Sequence, residues 1–316
     1  MKNLKLIKDY SINIVTYHYV RPIKNSNYPN IKGLELEDFK KQVDYFYNNY
    51  NIIDDKDLIE IIESKKIPKK PNFLLTFDDG YLDHYDYVFP YFLKKKIRGI
   101  FYPPKKVIEN KTVLDVNKIH FILEKEQNRK KILTEIDNIL FKLKNFKIKD
   151  LDLKKINLKA AYDDKDTVLI KRLLQYFLPK NERKIIIDEL FSKIINHDTE
   201  LFAKKLYINP NIVKEMNSEK MAFGSHGAEH YWWEHLTKEN QKKDMAESLD
   251  YFNLLGLDLS KMSVCYPYGS YNSKTLDLVK DFNFSFGLTT NFGNVNNSNI
   301  NKKYELNRFD INELSL

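Results

Sequence analysis

Short apolar runs alternate with stretches of helical spacing in two separated parts of the chain. Ser11 to Tyr19 reads as a first strand ending in Thr16-Tyr17-His18. Leu36, Phe39, Val43, Phe46 and Tyr47 share one face, predicting a helix over Leu34–Tyr50. Asn51–Ile53 reads as a short strand, with Asp55 as the cap of a helix running to Lys65. Residues 66–71 read as a loop. Phe73 to Phe77 is a continuous apolar run and predicts a buried strand. A helix through Leu93 and a strand Arg98–Tyr102 follow, and Pro103-Pro104 closes this part. Beyond Gly224 the alternation resumes, with helices over Glu239–Leu255 and Leu276–Phe282. Strands are predicted at Ser263–Tyr266, Phe284–Leu288 and Glu305–Ile311, with an asparagine-rich loop over Asn291–Asn301.

The middle of the chain is different. No glycine occurs between Gly99 and Gly224, and Pro179 is the only proline from Lys105 to Asn209. Helical pairs such as Ile119/Leu123, Ile132/Ile136/Leu140 and Leu169/Leu173/Phe177 fill the interval. Consecutive helices without strands predict a helical insertion at 105–209 between two α/β parts, 1–104 and 210–316.

Composition narrows the class. With 316 residues, 42% of them hydrophobic and 14% aromatic, the chain can bury a full core and is not of the disordered type. Cys265 is the only cysteine, so no internal disulfide forms. The N-terminus lacks an uninterrupted apolar leader, and no stretch approaches the ~18 apolar residues of a membrane span. The expected compartment is the cytoplasm. A net charge of +8 suits an anionic partner, such as a nucleotide-linked or lipid-linked sugar or a membrane surface; a lysine-rich solvated surface explains it equally. No glycine-rich phosphate loop and no nucleic-acid motif is present. Nothing in the sequence sets the oligomeric state.

Candidate chemistry lies at three strand ends. The run Phe73–Phe77 stops in Asp78-Asp79-Gly80, and two adjacent carboxylates repel unless something binds them. Strand ends are where α/β folds place their sites. A divalent cation would hold one acid while the other faces a substrate. In Phe223-Gly224-Ser225-His226-Gly227-Ala228-Glu229-His230, the two histidines are four apart, so one helix-like turn brings both imidazoles to one side. Two imidazoles and a carboxylate make a common three-ligand set with positions left open. It suits Zn²⁺, and also Co²⁺, Ni²⁺ or Fe²⁺. The bland readings are an ordinary Asp-Asp-Gly turn and two packed histidines.

These residues resemble the motifs of the polysaccharide deacetylases, carbohydrate esterase family 4. Thr76–Gly80 looks like the first motif. His226–His230 looks like the second, with Gly227 where Ser or Thr is usual. Cys265-Tyr266-Pro267-Tyr268-Gly269 looks like the third, with Cys265 in the place of an arginine. All three stand in the family's order, and the resemblance covers residues 10–104 and 210–316 but not the middle third. It implies a distorted (β/α)7-type barrel, here with a helical insertion, and metal-dependent removal of an N-acetyl group from an amino-sugar. It implies Asp79, His226 and His230 as metal ligands and Asp78 as general base. Tyr268, between Pro267 and Gly269, would give its N–H to the oxyanion.

Two departures matter. The usual arginine holds the catalytic aspartate, and a buried thiol at 265 cannot; Arg308 in the last strand is the candidate substitute. The family's C-terminal Leu-His acid is absent, since no histidine lies beyond His235. His18, ending the first strand, resembles the acid of a circularly permuted branch that includes the biofilm poly-N-acetylglucosamine deacetylases. Trp232 is a candidate sugar-stacking or bilayer-contact residue, with core packing the ordinary alternative for it and Trp233. The expected substrate is an amino-sugar of a surface glycan or its precursor, with peripheral membrane contact among the expected partners. Two alternatives remain: hydrolysis of a non-sugar amide or formamide, or a glycan-binding protein without catalysis on the same fold.

Overall fold

The computed structural model describes residues 7–156 and 163–313. The strands are β1 (Ile12–Tyr17), β2 (Val20–Arg21), β3 (Leu34–Glu35), β4 (Asn51–Ile52), β5 (Asn72–Asp78), β6 (Ile100–Tyr102), β7 (Ala222–Phe223), β8 (Val264–Cys265), β9 (Gly287–Phe292) and β10 (Leu306–Asp310). The α-helices are α1 (Leu36–Asn49), α2 (Asp55–Ser64), α3 (Phe89–Lys95), α4 (Lys105–Ile108), α5 (Asp115–Lys125) and α6 (Arg129–Lys144). They continue with α7 (Lys165–Arg172), α8 (Lys180–Ile195), α9 (Thr199–Leu206), α10 (Pro210–Ser218), α11 (Lys238–Leu254) and α12 (Ser273–Asp281). A π-helical turn, His84–Val88, leads into α3.

The chain forms two compact units. The first comprises Met1–Pro22, Lys32–Lys111 and Ala203–Leu316. Its strands pair in parallel in the order β7-β6-β5-β1-β10-β9-β8, with β4 also on β5. The two ends of this row meet at an isolated parallel bridge between Ser225 and Val264. There Ser225 N–H donates to Ser263 O and Cys265 N–H to Ser225 O, both at 2.9 Å. The result is the distorted (β/α) barrel expected from the motifs. Both long strands, INIVTY and NFLLTFD, are buried throughout, as parallel strands covered on both faces must be.

Alternation along the strands sorts the side chains into two clusters. Ile12, Ile14, Leu74, Ile100, Cys265, Leu288 and Leu306 belong to one, with Leu58 and Ile61 of α2. Val15, Phe73, Leu75, Phe77, Phe101, Val264 and Phe309 belong to the other, with Phe39, Val43 and Phe46 of α1 and Phe252 of α11. Period two therefore continues Ile12 and Ile14 with Thr16, Leu74 with Thr76 and Asp78, and Leu306 with Arg308. One face turns from apolar to polar toward the C-terminal strand ends, and the candidate site stands there.

The second unit comprises Ile23–Ile31 and Thr112–Phe202. Helices α5 to α8 bury Ile119, Ile122, Ile132, Ile136, Ile186 and Leu190. Tyr28 packs edge-on against Phe121, with centroids 4.7 Å apart.

Several boundaries differ from the sequence reading. Asp54, not Asp55, caps α2, accepting from Lys56 N–H (2.8 Å) and Asp57 N–H (3.0 Å). Asp55 instead takes Arg98 Nε at 2.6 Å. The strand predicted at Phe284–Leu288 is regular only as Gly287–Phe292, although Ser285 N–H and Phe286 O already bond Met262 O and Val264 N–H; Asn283 before it is left-handed (φ 56°) as the chain leaves α12. No described helix is long and apolar enough to cross a membrane. Residues 1–6, part of the N-terminal reading, lie outside the described residues.

Gly224 follows β7 where a Cβ would lie 2.2 Å from Tyr102 Cε1 and 2.9 Å from Ser263 O. Gly224→Ala is expected to cost about 1–3 kcal/mol of stability through overpacking. Thermal unfolding measures this, and a Tm equal to the parent's would show that β6 and β7 have slack at this point.

Candidate active site

Asp78 is the last residue of β5 and sits beside Tyr102 of β6. It is buried, and Arg308 of β10 grips it with two nitrogens. Nη1 lies 3.0 Å from Oδ1 and Nη2 2.8 Å from Oδ2. Thr16 Oγ1 donates to Oδ2 at 3.2 Å, and the Cys265 thiol does so at 3.5 Å. Arg308 Nε is anchored on Thr289 O at 2.8 Å. Burial alone would raise the Asp78 pKa, but the Arg308 charge prevails and holds it at about 2. The carboxylate is therefore ionised above about pH 4. This pairing stabilises the fold there and is lost as pH falls through 2. Cys265 stays a thiol, since burial pushes its pKa up.

Asp79 faces another way. Its φ is +71° and that of Gly80 is +65°, so the chain turns sharply where the strand ends. Only glycine suits position 80, where a Cβ would meet Pro103 Cβ at 2.6 Å. Asp79 Oδ2 accepts from Tyr81 Oη at 2.7 Å. Burial, reinforced by the Asp79 charge, keeps the Tyr81 proton in place. Asp79 Oδ1 faces His230 Nε2 at 3.2 Å and His226 Nε2 at 3.5 Å. It is buried and has no hydrogen-bond donor among the described residues.

The histidine loop follows β7. His226 Nδ1 donates to Cys265 O at 2.7 Å, which leaves Nε2 as the lone-pair nitrogen aimed at Asp79. One ligand atom each from Asp79, His226 and His230 lies within 4.8 Å of the others. The orphaned carboxylate oxygen and the fixed tautomer fit a divalent cation held by these three side chains. His226 also lies near Asp78 and Cys265, the other possible ligand group, but there the carboxylate is already taken by Arg308.

The other candidates line the same region. The Tyr268 ring packs on His230 with centroids 4.5 Å apart, and Trp232 stacks on Tyr268 at 4.6 Å and 16°. Pro267 is buried. Gly269 is left-handed (φ +69°), and a Cβ there would lie 2.0 Å from Thr290 Oγ1. Trp233 is fully buried, unlike Trp232. His18 follows β1, close enough to Asp78 and Asp79 for a charge on its ring to favour both carboxylates. Its carbonyl is held by His84 Nε2–H at 2.8 Å. Burial lowers the His84 pKa to about 4, so His84 remains a neutral donor. His120 lies in α5 of the second unit, and His235 is exposed beside Glu234.

Three supporting residues were not foreseen. Tyr81 and Thr16 had weak signals: one follows Asp-Asp-Gly directly, the other is a polar residue in an apolar strand. Asp244, which binds the histidine loop, stands in a lysine-rich helix and had none.

The family model described as polysaccharide deacetylase matches residues 189–287. The match covers less than half of the chain, and over that span the chain is similar to this family. The matched span holds His226, His230 and Pro267–Gly269, while Asp78 and Asp79 lie outside it. No curated protein matches the chain. Among solved structures, this chain is similar to the Streptococcus pyogenes deacetylase PplD in complex with acetate. That match has 16% identity and a TM-score of 0.57, covering 96% of this chain and 93% of that one. It is also similar to IcaB from Ammonifex degensii, with 15% identity, a TM-score of 0.56 and coverage of 96% and 92%. A de-N-acetylase from Aggregatibacter actinomycetemcomitans matches at 12% identity and 0.53, with coverage of 95% and 94%. At such identities these likenesses establish the fold, and the deacetylase family match supports a glycan-directed hydrolase.

Removing Arg308 would leave Asp78 buried and unpaired. Arg308→Met is expected to destabilise the protein by about 3–5 kcal/mol. The double variant Asp78→Asn/Arg308→Met should recover a large part of that loss. Denaturant unfolding of the three variants decides it, and equal stability of Arg308→Met and parent would show that the pair carries no weight.

Proposed function

We propose that this chain is a metal-dependent hydrolase that removes an N-acetyl group from an amino-sugar of a surface glycan or its precursor. The observation that carries the reading is the convergence of Asp79 Oδ1, His226 Nε2 and His230 Nε2 beside a second carboxylate kept ionised by Arg308. Zn²⁺ suits the donor set, as do Co²⁺, Ni²⁺ and Fe²⁺. A divalent ion bound there supplies Lewis-acid polarisation of the amide carbonyl and acidifies water.

The chain's own residues do the rest. Asp78 serves as general base. A carboxylate offers about four lone-pair sites. Arg308 takes one on Oδ1, while Oδ2 serves Arg308, Thr16 and Cys265. Oδ1 thus keeps a lone pair for the proton of the attacking water. Its low basicity is offset by position, since a held base needs no encounter step. Tyr268 N–H faces the developing oxyanion. His18 gives the departing amine its proton, for an amide anion is too basic to leave. His84 fixes the backbone from which His18 acts. Trp232, stacked on Tyr268, offers a flat face to a sugar ring.

The reading of a binding protein without catalysis rested on the missing third-motif arginine. Arg308 supplies a guanidinium to the same carboxylate, so that motive is gone.

Metal analysis with acetate release from N-acetylated chito-oligomers and nucleotide-sugars tests the proposal. About one divalent ion per chain and acetate release that stops with a chelator are expected. Metal without release from any of these substrates would favour a non-sugar amide, and neither would sink the reading. The two aspartates should separate: Asp79→Ala loses metal and turnover together, and Asp78→Asn keeps the metal and loses turnover. Equal metal loss in both would overturn their assignment. His18→Ala should keep the metal and lower kcat by roughly 10²–10⁴-fold, with less effect on an aryl acetate whose leaving group needs no proton. Unchanged amide hydrolysis in that variant would place the acid elsewhere.

A further inference from the structure

The loop that carries His226 and His230 lacks the hydroxyl residue usual in its second position, yet it is held tightly. Gly227 stands there with φ +73°. A buried carboxylate from α11, that of Asp244, fills the space instead. Its Oδ2 accepts from Ala228 N–H at 3.2 Å and from Trp233 Nε1–H at 2.9 Å. Its Oδ1 accepts from Glu229 N–H at 3.0 Å. All three donors lie in or just after the His226–His230 segment. A Cβ on residue 227 would come within 2.4 Å of Asp244 Oδ2, so this carboxylate and a side chain at 227 exclude one another.

We propose that Asp244 is the positioning residue of the candidate metal site, and that Gly227 and Asp244 form a matched pair doing the work of the absent hydroxyl. The inference rests on the metal reading given above. Asp244 touches neither imidazole. It acts by fixing the backbone on either side of position 228, between the two ligands, and so sets the separation and aim of the two Nε2 atoms. His230 depends on this most, since its Nδ1 has no hydrogen-bond partner among the described residues and its φ is +59°. A ring held on one nitrogen only takes its orientation from the main chain beneath it. The opposite side of the loop is tied by Lys105 and Lys106 of α4, whose N–H groups donate to Gly227 O and Ala228 O at 3.2 and 2.9 Å. These bonds keep the loop in place when Asp244 is changed, which allows its contribution to be measured separately.

The test compares Asp244→Asn, Asp244→Ala and the parent, all full-length, by Co²⁺ titration. Affinity is read by competition with a chromophoric chelator and ligand geometry by the visible Co²⁺ absorption. Thermal unfolding without metal is followed in parallel. Asp244→Ala is expected to weaken Co²⁺ binding about 10- to 100-fold and to alter the visible bands, as loss of an outer partner of a metal ligand does. Asp244→Asn, which keeps one acceptor oxygen, should fall between. Gly227→Ser should also weaken binding, because its side chain meets the carboxylate, and adding Asp244→Ala to it should restore part of the affinity. If Asp244→Ala does not fold, the Asn and Gly227 variants decide. Variants that lose metal-free stability but keep parental Co²⁺ affinity and spectrum would overturn the proposal and leave Asp244 a structural residue. A parent chain that binds no Co²⁺ would instead overturn the metal reading on which it rests.

Discussion

Two buried charges hold this site in place. Arg308 and Asp78 meet inside the barrel with almost no exposure, and neither would be tolerated there alone. Their bidentate contact ties the last strand to the end of β5, while Thr16 of the intervening β1 donates to the same carboxylate. Once Asp78 is fixed, the turn that follows it is fixed too. With Asp79 and Gly80 left-handed, the second carboxylate turns one oxygen to Tyr81 and the other to the histidine loop. The placement of the three candidate ligands thus depends on one ion pair at the strand end.

The fold was legible where its chemistry is local. Phe73–Phe77 announced a buried parallel strand, and the two-fold alternation inside the barrel is visible in Ile12, Ile14 and Thr16. The spacing of His226 and His230 and the resemblance at Asp78-Asp79 pointed to one candidate site, because the turns involved lie within a few residues of each. Arg308 could be suspected only because Cys265 occupied another residue's place. What remained hidden was tertiary. Asp244 reads as one acid among the charged residues of a helix, and only the packing of α11 against the histidine loop shows what it touches. Likewise nothing in residues 23–31 suggested that they pack with 112–202, since Tyr28 meets Phe121 across more than ninety positions. The predicted interval of 105–209 followed a glycine-free run, whereas compactness follows contacts.

The substitutions that set this chain apart from the family pattern are paired. Cys265 stands where a guanidinium is usual, and Arg308 brings one from another strand. Gly227 stands where a hydroxyl is usual, and Asp244 brings an oxygen from a helix. In each case a contact comes from another element: Arg308 of β10 reaches Asp78, and Asp244 of α11 reaches the N–H groups of the loop. A residue-by-residue comparison would score two losses at positions where the physical environment of Asp78 and of the histidine loop is complete.

The position of β10 in the ring has a temporal consequence. Arg308 and Asp78 are separated by 230 residues, and β10 is inserted between β1 and β9 rather than added at an edge. Until that strand arrives, β1 has an open flank and Asp78 has no counter-charge. Closing so long a loop is slow, because its entropy is spent before the contact is made. The pocket is then absent until β10 has joined β1, and that pairing completes it. Pulsed hydrogen exchange during refolding would then find the β1–β10 amides protected last, and early protection there would contradict it.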